Sequence, residues 1–176
     1  MNAEATKYSR IEYERRFLVS SDSGWENFVE PYSKNLQDKY LKDSRLRLRT
    51  LIDSDIDRRL IKLTKKYESD SPYFQMITTM ILSEAECHLL NTLKGYNLKK
   101  NRYYHNFQNQ IFSIDVFDNE LKGLILCETE RDSLDELLSI EFPGYAKTEV
   151  TEDNFFRGGN LSRTTRPELL NKLGNL

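Results

Sequence analysis

The segment IEYERRFLV at residues 11–19 carries charged side chains at alternate positions. In a β-strand every second residue shares a face, so Glu12, Glu14 and Arg16 would form one row. Carboxylates bind hard divalent cations through oxygen, and guanidinium groups bind phosphate oxygens. For a single strand, the solvent-exposed face of an antiparallel sheet explains such a row more simply. The rest of the chain therefore decides between these two interpretations.

Other predicted strands repeat the pattern. Residues 45–50 (RLRLRT) and 58–66 (RRLIKLTKK) alternate basic with apolar side chains, and residues 98–107, 111–117 and 123–131 also read as strands with a polar row. The polar members of these rows, with those of the first strand, are Glu12, Glu14, Arg16, Arg45, Arg47, Arg49, Lys62, Thr64, Lys100, Arg102, Ser113, Asp115, Glu128 and Glu130. A solvated sheet face would mix in many more neutral residues, so this degree of order favours a buried or enclosed polar surface.

Helices are predicted by capping motifs and by apolar periodicity. Two capping boxes precede Leu-containing stretches, Ser83 with Glu86 and Ser133 with Glu136. Pro167 near a first turn predicts a last helix at about 166–174. An apolar stripe over residues 25–32 predicts one further short amphipathic helix.

These elements predict an α+β fold in one domain spanning residues 1–176, with a core at about 10–163. Because the helices need an apolar surface to cover, the apolar strand faces should point outward and the charged faces inward. An antiparallel eight-stranded β-barrel with helices packed on the outside satisfies both requirements. The sequence therefore predicts a polar tunnel.

Enclosing many ions is costly unless they are paired or hydrated. Separate groups of Arg and Lys and of Asp and Glu suit a polyphosphate with bound divalent cations, since each group then has its own partner. The alternative is an internal network of ion pairs that compensates itself and binds no ligand.

Composition limits the remaining function classes. A net charge of −2 gives no general basis for nucleic-acid binding. The chain has no apolar run of about 20 residues and no signal-peptide core at its start, which predicts a cytoplasmic protein without membrane contact. Cys87 and Cys127 have no zinc-ligand spacing and are expected to be ordinary reduced thiols. A homodimer is compatible with the sequence.

Several segments, taken in order, resemble the CYTH domains of the triphosphate tunnel metalloenzyme superfamily. The first, IEYERRFLV, is similar to the Glu-x-Glu-x-Lys signature, with Arg16 in place of the usual lysine. The further segments are RLRLR, IKLTKK, KKNRYY, SIDVF, GLILCETE and EVTEDNFFRGGNLS. The resemblance covers about residues 10–163, nearly the whole chain.

This resemblance implies a barrel that forms a tunnel, in which triphosphate compounds are hydrolysed or cyclised with Mg²⁺ or Mn²⁺. The implied metal ligands are Glu12, Glu14, Glu128 and Glu130, with Asp115 nearby. The implied phosphate-binding residues are Arg16, Arg45, Arg47, Lys62, Lys100 and Arg102. The residues expected to matter most for catalysis are Glu12, Glu14, Arg47, Lys62 and Glu128.

The expected function is metal-dependent hydrolysis of a linear triphosphate, either inorganic tripolyphosphate or an organic triphosphate. A non-catalytic protein that binds polyphosphate or nucleotides is the alternative from another class. A class IV-type adenylate cyclase is also compatible with the resemblance, although the sequence shows no clear pocket for a nucleoside base.

Three departures from the family pattern bear on these alternatives. Many members carry Glu-x-Glu on the strand before the middle helix, and the positions expected to correspond in this sequence are Met76 and Thr78. Ser113 stands where many members have Glu, and Lys62 and Thr64 stand in the reverse of the common Thr-x-Lys order. A thinner acidic wall leaves both the number of metal ions and the substrate class open.

Overall fold

The computed structural model describes residues 7–53, 55–56 and 58–176, so the first six residues of the predicted domain lie outside the description. The strands are β1 (Arg10–Val19), β2 (Ser33–Leu41), β3 (Leu46–Asp53), β4 (Arg59–Lys66), β5 (Phe74–Leu82), β6 (Gly95–Phe107), β7 (Gln110–Phe117), β8 (Ile125–Arg131) and β9 (Ala146–Glu149). The α-helices are α1 (Glu84–Asn91), α2 (Leu134–Leu138), α3 (Gly158–Leu161) and α4 (Arg166–Gly174). None of the helices in the described part of the chain is long and apolar enough to span a membrane.

Eight of the strands close into an antiparallel barrel, as predicted. Their order is β5-β4-β3-β2-β6-β7-β8-β1, and β1 pairs with β5 to complete the circle. The first half of β1 makes this closing contact, from Arg10 opposite Ile77 to Tyr13 opposite Phe74. The last three residues of β1 pair instead with the short strand β9. One strand thus closes the barrel and also holds the C-terminal segment.

The register confirms that the charged rows share the inner face. Residues paired directly across two antiparallel strands lie on the same side of the sheet. Such pairs bring together charged or polar members of neighbouring rows, namely Arg16 with Glu128, Arg47 with Thr64, and Arg102 with Asp115. The tunnel lining therefore follows from the strand period of two.

Apolar side chains cover the outside of the barrel. Cys87 of α1 packs on Leu48 and Ile61, which lie on the outer faces of β3 and β4. A larger cluster on β1, β7 and β8 includes Phe17 and Phe112. Ser83 and Glu86 form the predicted capping box at the start of α1, whereas Ser133 caps α2 by one hydrogen bond, from the backbone N–H of Glu136, and not by a full box; the predicted C-terminal helix is α4.

One end of the tunnel is filled by apolar residues, here called the plug. Leu98, Phe117 and Leu126 point inward from β6, β7 and β8. Phe156 and Leu161, from the segment that follows β9, pack against them and are almost completely buried. The polar part of the tunnel therefore lies between this plug and the opposite mouth.

Two local predictions were wrong. The predicted helix at 25–32 is only a 3₁₀ turn, Trp25–Asn27, which follows Gly24 with a φ of 70°. Strand β2 was missed because its polar sequence SKNLQDKYL hides the alternation of Leu36, Asp38 and Tyr40. That strand completes the barrel between β3 and β6.

Gly158 is required by the close approach of α3 to the barrel. A Cβ atom at this position would overlap the Tyr40 hydroxyl group. We expect Gly158→Ala to lower the free energy of unfolding by about 1–3 kcal/mol, as overpacked sites do. Urea denaturation measures this, with Gly144→Ala as the control because a Cβ there meets no atom within 4 Å. Adding Tyr40→Phe should recover part of the loss, and equal stabilities of Gly158→Ala and Gly144→Ala would contradict the predicted overlap.

Candidate functional site

Three carboxylates form an acidic cluster on the inner face of the barrel, where Glu12 and Glu14 are half-buried and Glu130 is exposed at the surface. Glu12, Glu14 and Glu130 each offer an oxygen, and these oxygens lie within 4.8 Å of one another. The cluster arises because Glu14 pairs directly with Glu130 across β1 and β8. Burial, followed by the charges of Glu12 and Glu14, raises the pKa of Glu130 to about 7. Burial and Glu128 likewise raise the pKa of Glu14. Such mutual repulsion is relieved by a bound cation, and oxygen ligands suit Mg²⁺ or Mn²⁺.

Glu128 lies against cations and not in the acidic cluster. It accepts hydrogen bonds from Arg16 Nε at 2.7 Å and from Arg102 Nη2 at 3.0 Å. Burial acts to raise the pKa of Glu128, but the charges of Lys100, Arg16 and Arg102 outweigh it, so the pKa lies well below its ordinary value. Glu128 is therefore ionised and bound to the protein's own guanidinium groups.

Asp115 is also separate from the acidic cluster. It is fully buried, and it accepts hydrogen bonds from Arg102 Nε at 2.6 Å and Nη2 at 2.7 Å while forming an ion pair with Lys100. The structure thus brings three of the predicted metal ligands together and places the other two, Glu128 and Asp115, in ion pairs.

One wall of the tunnel consists of such compensated charges. Arg16 contacts Glu14 and Glu128, while Lys100 and Arg102 share Asp115. Asp38, buried on β2, binds Arg49 through two hydrogen bonds of 2.5 and 2.6 Å. The internal ion-pair network considered from the sequence therefore exists on this wall.

Next to this wall, on β3 and β4, a further set of basic groups, here called the basic wall, has little compensation. The buried Nε of Arg47 has no hydrogen-bond partner among the described residues. Burial, then the charges of Arg49 and Arg47, lowers the pKa of Lys62. Lys66 Nζ is 3.7 Å from Glu12. Arg45 lies at the edge and pairs with the exposed residue Glu68. Positive charge in excess of its local counter-charge is what an anionic ligand would bind.

A cavity of about 320 Å³ joins the acidic cluster to this basic wall. Its lining residues are Glu12, Glu14, Arg16, Tyr40, Leu41, Ser44, Arg45, Arg47, Lys66, Pro72, Tyr73, Phe74, Gln75, Asn154, Arg157, Gly158, Gly159, Asn160 and Arg163. A smaller space of about 80 Å³ continues it into the barrel, where Lys100, Arg102, Glu128 and Glu130 also line the surface. A continuous polar channel therefore runs past both charged groups.

On β5, the structure corrects the positions that were matched to the Glu-x-Glu of the family pattern. Thr64 pairs with Thr79 and Lys66 pairs with Ile77, so the inner face of β5 carries Gln75, Ile77 and Thr79. Met76 and Thr78 point outward, because a shift of one residue moves a side chain to the other face. The inner face of β5 still has no carboxylate. On β4, Thr64 and Lys66 supply a Thr-x-Lys pair two residues beyond the predicted position of Lys62.

Several residues inside the tunnel were not among the site residues predicted from the sequence. Asp38 and Tyr40 belong to the strand that was not predicted. Lys66 lies two residues after Thr64 and four after Lys62 on the same strand, so the alternation already indicated that its side chain points into the barrel. Arg157 had no signal of this kind, since it lies outside the strands in the EVTEDNFFRGGNLS segment.

Comparison with solved structures establishes the fold. The crystal structure of the hypothetical protein NE1496 is 24% identical, with a TM-score of 0.56 over 88% of this chain and 99% of that one. The crystal structure of the inorganic triphosphatase NE1496 gives 22% identity and a TM-score of 0.55 over 87% and 95%. The structure of the PH1819 protein from Pyrococcus horikoshii OT3 is 19% identical in sequence, with a TM-score of 0.53 over 72% of this chain and 82% of that one. No family model and no curated protein matches the sequence. The chain therefore shares the closed antiparallel barrel fold of these structures, as the alternation of its charged strands predicted.

Proposed function

We propose that this protein is a divalent-metal-dependent phosphohydrolase that acts on a linear triphosphate. One observation carries the proposal: the clustered carboxylates of Glu12, Glu14 and Glu130 line the same channel as Arg47, whose buried Nε has no hydrogen-bond partner among the described residues. Glu12, Glu14 and Arg47 line the same cavity. The likeness of the fold to the inorganic triphosphatase NE1496 supports this proposal.

Glu12, Glu14 and Glu130 fit a hard divalent cation, because all three offer oxygen ligands that repel one another in its absence. A cation held there would supply Lewis-acid polarisation of a phosphate oxygen. The protein's own contribution is to hold these carboxylates close together on the adjacent strands β1 and β8.

The basic wall would hold the phosphate chain. Arg47 can present its free Nε–H to a phosphate oxygen, and Lys66 provides a further donor 3.7 Å from Glu12. Their charges would stabilise the negative charge on the transferred phosphoryl group. Lys100 and Arg102 are already paired with Asp115 and Glu128. They would contact a phosphate either beside these ion pairs or in exchange for part of them.

A second candidate function is binding without catalysis. The inner face of β5 offers Gln75, Ile77 and Thr79 but no carboxylate, which leaves the barrel with one acidic cluster among the described residues. A protein that holds polyphosphate or nucleotides as a sensor or carrier would need the basic wall more than a second set of metal ligands.

A panel of substrates separates the two functions. We expect phosphate release from tripolyphosphate, ATP or thiamine triphosphate in the presence of Mg²⁺ or Mn²⁺, and loss of release after chelation, because the proposed ligands are all oxygen donors. Malachite-green detection of phosphate across a Mn²⁺ titration measures this. Tight binding of these compounds without release would favour the carrier, and undiminished turnover after thorough chelation would rule out the metal requirement.

A further inference from the structure

Arg157 is held at the plugged end of the tunnel by its neighbours in sequence. Phe156 before it and Leu161 after it are buried in the plug. Gly158 and Gly159 pack against the ring of Tyr40, close enough that a Cβ on Gly159 would lie 3.7 Å from it. The backbone of this segment therefore has little freedom to move away from the barrel.

The side chain of Arg157 lines the 320 Å³ cavity together with Glu14, Arg16 and Arg47. Its guanidinium forms no ion pair with any carboxylate in the described ranges. The hydrogen bond that it donates, from Nη2 to the Ser71 carbonyl oxygen, is 3.4 Å long and therefore weak. Most of its donor groups remain available to a ligand.

The electrostatic surroundings of Arg157 are unfavourable for a cation. Burial, and then the positive charge of Arg16, lowers the pKa of Arg157. The guanidinium groups of Arg157 and Arg16 repel each other across one cavity, and Glu14, which already pairs with Arg16, offsets only part of this cost for Arg157. A bound anion between them would remove that cost.

We propose that Arg157 is a further substrate-binding residue, which donates charge-assisted hydrogen bonds to a phosphate at the plugged end of the tunnel. This inference rests on the proposed triphosphate ligand and adds a contact from outside the barrel strands. A planar guanidinium can bind two phosphate oxygens at once, so Arg157 would fix the position of the phosphate as well as attract it. The Gly-Gly sequence after it would serve to bring the segment against Tyr40.

The test compares Arg157→Gln and Arg157→Lys with Arg59→Gln. Arg59 is a suitable control because it lies in an exposed ion pair with Glu84, so its loss removes the same charge away from the cavity. Calorimetric titration with tripolyphosphate in metal-free buffer measures binding without requiring catalysis. Arg157→Gln should weaken binding by about 10- to 100-fold, the range for one lost charge-assisted contact. Arg157→Lys should fall between it and the wild type, since it keeps the charge but not the planar fork.

The outcomes distinguish this inference from the proposed function. Equal affinities of Arg157→Gln and Arg59→Gln, with both variants folded by circular dichroism, would overturn the role of Arg157 alone. Binding that is weakened by Arg157→Gln in a protein that releases no phosphate would support Arg157 and contradict hydrolysis. A wild-type protein that binds no tripolyphosphate, ATP or thiamine triphosphate would overturn both.

Discussion

The variant Glu130→Gln should lose metal-activated hydrolysis and gain thermal stability. Glu130 is one of the three carboxylates whose oxygens lie within 4.8 Å of one another. Mutating residues that merely orient a metal ligand costs about 10- to 100-fold, so removing a ligand charge should lower kcat/KM by at least about 100-fold. The amide keeps the shape of the side chain, which limits other effects.

Stability should change in the opposite direction. Burial and the charges of Glu12 and Glu14 raise the pKa of Glu130 to about 7. A pKa raised above its unfolded value means that the ionised group destabilises the fold, and this cost is fully present above pH 7. Glu130→Gln removes the repulsion, so its Tm at pH 8 without metal should exceed that of the wild type.

The combination of lower activity and higher stability excludes unfolding as the cause of inactivity. Kinetics across a Mn²⁺ titration and differential scanning calorimetry at pH 8 measure the two effects. Glu26→Gln is a suitable control because Glu26 is an exposed residue in the 3₁₀ turn and lines neither part of the polar channel. If Glu130→Gln follows the wild-type metal titration, the acidic cluster is not the metal site.

The barrel itself was predictable because strand geometry forces alternate residues onto opposite faces. Glu12, Glu14 and Arg16 could not share a face with Phe17 in an extended chain, whatever the rest of the protein did. The same rule placed Arg47, Lys62, Lys100 and Glu128 inside, in agreement with the register. Burial of the opposite faces under helices then required a closed sheet.

The partners of each charge could not be predicted from the sequence, because they depend on register. Asp115 and Glu130 are both inward carboxylates on neighbouring strands. Asp115 lies opposite Arg102 and is neutralised, whereas Glu130 lies opposite Glu14 and is repelled. The predicted metal ligands therefore divided into a cluster and an ion-pair network only once the strands were paired.

Two errors had the same physical origin. Strand β2 carries so many polar residues that its period of two was hidden, which left Asp38 and Tyr40 outside the predicted site. On β5, a shift of one residue made Met76 and Thr78 appear to face inward, although Gln75 and Ile77 do. Neutral sequences of this kind carry little information about which face is buried.

The largest expected loss of stability is that of Asp115→Asn. Asp115 is fully buried and is bound by Arg102 at 2.6 and 2.7 Å and by Lys100. The amide would remove the one carboxylate that contacts both Lys100 and Arg102 directly and leave Glu128 as the contact of Arg102. Breaking a buried ion pair by removing one partner costs about 3–5 kcal/mol, so the free energy of unfolding should fall by about that amount.

Urea denaturation in metal-free buffer measures this loss, with Asp43→Asn as the matched control. Asp43 is exposed and has a φ of 55°, a conformation that Asn adopts readily, so the control should match the wild type. Added tripolyphosphate should restore part of the stability of Asp115→Asn, because its phosphate oxygens can replace the missing carboxylate beside Lys100 and Arg102. If Asp115→Asn is instead as stable as Asp43→Asn without metal but fails to bind Mn²⁺, Asp115 is a metal ligand, as the family resemblance first implied. The size of the metal-free loss therefore decides whether this carboxylate serves the fold or the reaction.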